Sequence, residues 1–114
     1  MTRVLFICGK ARKRSPTAVE CARNWPALTA DCAGLSHDAD EPLTQEQIYW
    51  ADLLVVMEKR QKRRLSSRFG APKPGQRILS FEIPDRFEFM DGELVDILIS
   101  RLTHHFGPPE NRPI

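Results

Sequence analysis

The stretch 4-VLFICGKARKRSPTAVE-20 decides how the rest of the chain is read. Residues 3–8, RVLFIC, form an apolar run rich in β-formers, the pattern of a strand buried on both faces. Ser15-Pro16 then reads as a helix start, with Ser15 at the cap, Pro16 at the first helical position and Glu20 in the following turn. Ala18, Cys21, Ala22 and Trp25 recur at helical spacing, and Pro26 ends the helix. Lys10, Arg12, Lys13 and Arg14 are crowded between strand and helix. Like charges so close repel one another, so the loop calls for an anion as its counterpart.

The same alternation continues downstream. Thr29 to Ala33 reads as a short strand closed by Gly34, and Leu43-Thr44 opens a helix through Trp50 with Thr44 as its cap. Residues 52–57, DLLVVM, give another buried strand. The highly charged stretch 58–69 reads as a helix with only Leu65 and Phe69 inward, stopped by GAPKPG. Arg77 to Ile83 makes a fourth strand. Asp91 to Phe106 makes a last amphipathic helix, with Leu94, Ile97, Leu98, Arg101 and Leu102 at helical intervals. Buried strands each followed by a helix imply an α/β fold: a three-layer, four-stranded parallel sheet with helices on both faces. Such sheets bind ligands at the carboxyl ends of their strands, where the loop of residues 9–14 falls.

Bulk properties agree. At 114 residues the chain is one domain, expected over 1–106, with GPPENRPI (107–114) as a loose tail. Seventeen basic against fifteen acidic residues leave a net charge of +2, so the chain is no polycation and nucleic acid is not the expected partner. Three cysteines without a CxxC pair suit a reducing cytosol. With neither a signal peptide nor an apolar run of membrane length, the expected location is the cytoplasm and no membrane partner is expected.

The spacing Cys8-x5-Arg14-Ser15 carries chemistry. A loop of that length can curl so that successive backbone amides face one centre, an anion nest at the N-terminus of a helix. Residues Gly9, Lys10, Ala11, Arg12 and Lys13 supply those amides. Arg14 can grip two phosphate oxygens with its planar fork, which a lysine does less well. Cys8 lies beneath the anion, where the helix dipole and Arg14 favour a thiolate, and Ser15 can donate a hydrogen bond to the sulfur. Lys10, Arg12 and Lys13 point to a preference for acidic or multiply phosphorylated substrates, whereas the run 59–68 reads as an exposed helix face.

These residues resemble the low-molecular-weight protein tyrosine phosphatases, in particular a short bacterial branch. The resemblance rests on VLFICGKARKRSPTAVE as the phosphate loop, DCAGLS as the second-strand stretch, ADLLVVMEK as the third strand and its exit, and IPDRF. It covers Val4 to about Leu102. It implies a two-step phosphoryl transfer from a phosphotyrosine protein or small aryl phosphate, with Cys8 as nucleophile and Arg14 as phosphate clamp. Asp85 falls where the family has its general acid, and Phe87, two residues on, is a candidate substrate contact besides a packing residue. Inorganic phosphate would be product and inhibitor; no cofactor and no metal are implied. The chain departs from the family at Ala11, where the family has Asn, at Lys13, where many members have a second cysteine, and at Cys32, where the family has Ser. Asp85-Arg86 replaces Asp-Pro, and the paired aromatics become Phe87 and Phe89.

Two other functions compare differently with the residues. A non-catalytic phosphoanion- or nucleic-acid-binding module would use the same loop without turnover. Arsenate reduction needs further cysteines downstream to relay a disulfide, and none follows Cys32.

Overall fold

The computed structural model describes residues 1–109. Four strands and four helices alternate: β1 (Thr2–Cys8), α1 (Arg14–Ala22), β2 (Leu28–Gly34), α2 (Gln45–Trp50), β3 (Leu53–Val56), α3 (Lys59–Phe69), β4 (Arg77–Ser80) and α4 (Gly92–Phe106). All pairings are parallel, in the order β2-β1-β3-β4. The sheet is therefore four-stranded and parallel, as the alternation of apolar runs predicts.

β1 and β3 occupy its centre, and Val4 to Ile7 and Leu53 to Val56 are buried throughout. Val4, Phe6 and Cys8 face a cluster completed by Ala18 and Cys21 of α1 and Leu94, Leu98 and Leu102 of α4. Leu5 and Ile7 face the other cluster, with Ile48 of α2 and Leu65 of α3. Truncating any one of these large side chains to Ala would cost about 2–5 kcal/mol.

The chain runs outward from β1 to β2 and then crosses back to β3, so the order reverses beside β1. The C-terminal end of β1 lies at this switch point, where parallel sheets open a crevice. Among the described residues no helix is long and apolar enough to cross a membrane.

Three boundaries differ from the sequence reading. α1 begins at Arg14 with Lys13 as its N-cap, so Ser15 is not the cap. Its hydroxyl is turned to Cys8 instead, while Pro16 sits in the first turn, where an amide would have had no helical partner. α1 also ends at Ala22; Trp25 reaches the core through a turn and donates its Nε1–H to the Gly107 carbonyl at 2.9 Å. β4 stops at Ser80 because Glu82 takes a left-handed φ of 53°, although Phe81 and Ile83 still donate to Val56 and Met57. Of the expected tail, residues 110–114 lie outside the described residues.

Candidate active site

The loop between β1 and α1 is clamped from outside by the segment that follows β2. The carbonyls of Cys8, Gly9 and Lys10 accept bonds from the amides of Leu35 (2.9 Å), Ser36 (2.8 Å) and Asp40 (2.9 Å). Gly34 lies directly beneath: a Cβ there would stand 2.7 Å from the Gly9 oxygen and 2.5 Å from Ala39 Cβ, so no larger residue fits. With its carbonyls tied outward, the loop can present amides inward. The Ala11 amide donates to Cys8 Sγ at 3.2 Å, and Ser15 Oγ lies 3.0 Å from the same sulfur. Ala11 is buried and adopts φ 57° to aim that amide. A left-handed alanine costs about 1–2 kcal/mol, which the clamp from Leu35, Ser36 and Asp40 must offset.

Arg14 is buried to 3 % exposure and makes two strong bonds from one nitrogen, to Glu58 Oε2 at 3.0 Å and to the Ile83 carbonyl at 2.8 Å. Its Nε stands 3.7 Å from Asp85 Oδ1. Glu58, the residue just before α3, also caps that helix. Burial works against ionising the Glu58 carboxyl, but its bond and ion pair with Arg14 outweigh burial and hold it below the usual carboxylate range. A buried cation left unpaired would be costly, so Glu58 secures both the charge and the aim of Arg14.

A cavity of about 370 Å³ opens over this floor. Cys8 and the loop residues Gly9, Lys10, Arg12, Lys13 and Arg14 line it, and Asp85, Ser36 and Arg64 complete it. The structure thus brings Cys8, Arg14 and Asp85 to one cavity, with Ser15 behind the sulfur. Phe87 is not at the cavity: it is 2 % exposed in the α1/α4 core, with the Arg86 guanidinium 4.2 Å over its ring. Phe89 is exposed and away from the lining.

Burial, more than any neighbouring charge, pushes the Cys21 and Cys32 thiols up to about 11.

The loop cations carry partners that the sequence reading missed. Lys10 pairs with Asp38 at 2.9 Å, Arg12 with Asp40 at 2.9 Å and Lys13 with Glu88 at 3.0 Å. Hydrogen bonds from Ser36 and Lys10 hold the Asp38 carboxyl down at about 2, and Asp40 raises the Arg12 guanidinium. Repulsion within the basic loop is thus relieved by an acidic rim. These acids lie 28 to 75 residues away in sequence, so spacing could not reveal them. Arg64 likewise belongs to a run of exposed cations in the sequence; only the packing of α3 turns it to the cavity.

The fold is that of the low-molecular-weight protein tyrosine phosphatases. Among solved structures, the tyrosine phosphatase Wzb from Escherichia coli K30 in complex with phosphate superposes with a TM-score of 0.70 at 21 % identity, over 94 % of this chain and all (100 %) of that one. The arginine phosphatase YwlE from Geobacillus stearothermophilus gives 0.68 at 20 % identity, covering 92 % of this chain and 95 % of its own. The low-molecular-weight protein tyrosine phosphatase SP-PTP from Streptococcus pyogenes gives 0.69 at 13 % identity, covering 91 % and 93 %. No family model and no curated protein sequence matches the chain.

Proposed function

We propose that this chain is a cysteine-dependent phosphatase acting on phosphotyrosine-type aryl phosphate monoesters. One observation carries the reading. Cys8 Sγ lies on the floor of an open cavity, within hydrogen-bond distance of the Ala11 amide and the Ser15 hydroxyl, and both Arg14 and Asp85 line that cavity. A buried structural cysteine has no use for a cationic cavity above it.

In the proposed reaction the Cys8 thiolate attacks phosphorus and forms an S–P bond as the P–O bond to the leaving group breaks. Protonated Asp85 gives its proton to the departing phenolate. The Asp85 carboxylate then takes a proton from water, whose oxygen attacks phosphorus. The S–P bond breaks, phosphate leaves and the thiolate returns. Loop amides and the Arg14 fork hold the equatorial oxygens as charge moves between the apical ones. Ser15 stabilises the thiolate as leaving group in the second step. The phosphate held by Wzb and the tyrosine phosphatases among the structural neighbours support this reading.

Hydrolysis of p-nitrophenyl phosphate by the wild type, Cys8→Ala and Asp85→Asn tests it. Cys8→Ala is expected to abolish turnover and Asp85→Asn to lower it by about 10²-fold or more. A phosphoarginine substrate run in parallel separates aryl phosphate from the substrate class in the name of YwlE. A folded wild type that hydrolyses none of these substrates refutes the proposal.

A further inference from the structure

Every loop cation at the cavity already has a carboxylate: Lys10 has Asp38, Arg12 has Asp40, Lys13 has Glu88 and Arg14 has Glu58. Arg64 is the exception. It lines the same cavity from α3, yet among the described residues it makes neither a salt bridge nor a hydrogen bond.

The placement of Arg64 follows from four neighbours. Leu65, next in sequence, is buried in the α2/α3 cluster and fixes how the helix is rotated. Arg68, one turn further along the same face, donates to the Leu35 carbonyl of the segment that clamps the phosphate loop. At the other end, Glu58 and Gln61 hold the first turn: Gln61 Oε1 accepts from the Met57 amide at 2.8 Å and the Glu58 amide at 3.0 Å. α3 is therefore fastened at both ends to the parts that shape the site. Asp85, by contrast, lies between Ile83 and Phe87, which pack on the α1/α4 side. The cavity thus has its proposed acid on one side of the sheet and an uncompensated guanidinium on the other.

Resting on the phosphatase reading above, we propose that Arg64 forms a second anion subsite, which binds a carboxylate flanking the phosphorylated residue of the substrate. An incoming phosphate is met by Arg14 and the loop amides, so it does not need Arg64. Lys10 and Arg12 would each have to give up a carboxylate to bind a second anion. Arg64 gives up nothing, and its fork can hold a carboxylate through two oxygens. The substrate so selected is a phosphotyrosyl peptide with Asp or Glu next to the phosphorylated position.

The test uses two matched phosphotyrosyl peptides, one with flanking Glu and the other with Gln, on the wild type, Arg64→Gln and Arg63→Gln. Arg63 lies on a different face of α3, along a separate groove with Lys59 and Lys62. Its substitution removes the same charge without touching the cavity. For the wild type, kcat/KM is expected to favour the acidic peptide by about fivefold, the size of a partly exposed charge pair, and the preference should weaken as salt rises. Arg64→Gln should bring the ratio near one and Arg63→Gln should leave it in place. An unchanged ratio in Arg64→Gln, or an equal loss in both variants, overturns the subsite and points to a general field of α3. If neither peptide is hydrolysed by folded wild type, the phosphatase reading is what fails. The subsite is then decided by fluorescence anisotropy of the same labelled peptides: tighter binding of the acidic one that is lost only in Arg64→Gln upholds it, and equal binding overturns it.

Discussion

Glu58→Ala removes the nearer and less exposed of the two carboxylates that pair with Arg14, and its cost can be worked from the contacts. Arg14 is buried to 3 % exposure and would keep the Ile83 carbonyl and the longer contact to exposed Asp85 but lose its 3.0 Å partner. Breaking a fully buried pair costs about 3–5 kcal/mol; with the Glu58 side chain 25 % exposed, about 2 kcal/mol is the appropriate share here. Glu58 is also the N-cap of α3 in a capping box with Gln61, and losing that adds about 1 kcal/mol. The total is about 3 kcal/mol. With an m-value of about 1.5 kcal/mol/M, the urea midpoint should fall by about 2 M. Glu58→Gln keeps an acceptor for both the cap and Arg14, and should cost only about 1 kcal/mol. Urea unfolding followed by tryptophan fluorescence measures both variants. Equal losses for Ala and Gln, or a loss below about 0.5 kcal/mol for Ala, would refute the claim that a buried ion pair holds Arg14 in place.

Ser15→Ala should lower kcat on p-nitrophenyl phosphate by about tenfold, since one hydrogen bond to the sulfur is lost, while inhibition by phosphate changes less. Steady-state kinetics with and without phosphate checks the split. The pH dependence of stability has a definite sign. The Asp38 carboxyl, lowered from 3.8 to about 2 in the folded chain, stabilises above pH 3.8 and loses that contribution as pH falls toward about 2. Glu58, also depressed, adds a loss below its unfolded value of 4.5. Urea midpoints measured on acidification should therefore fall, and fall less steeply in Asp38→Asn.

Much of the fold was legible because it depends on local signals. RVLFIC and DLLVVM read as buried strands from composition alone, and Thr44 and Asp91 cap their helices through their own side chains. Of the two roles open to Ser15, the cap fails and the contact with the Cys8 sulfur, seven residues earlier, stands, because one hydroxyl cannot serve both. For Phe87 the sequence left packing and substrate contact both open, and the fold places it in the α1/α4 core. Residues within one loop, Cys8 and Arg14, were readable by spacing. Glu58, Asp38, Asp40, Glu88 and Arg64 were not, because they reach the site only through the crossing of β1 by its neighbours on either side. Gln61, buried in a helix otherwise full of cations, carried a signal that only its hydrogen bonds explain: it satisfies two amides at the turn out of β3.

The most direct test of the central claim is to look for the covalent intermediate. Asp85→Asn mixed with an aryl phosphate, quenched in acid within the first turnover and examined by mass spectrometry, should carry one phosphoryl group on the peptide that contains Cys8, absent from Cys8→Ala. Turnover of the substrate with no phosphoryl group on Cys8 at any quench time would contradict the account.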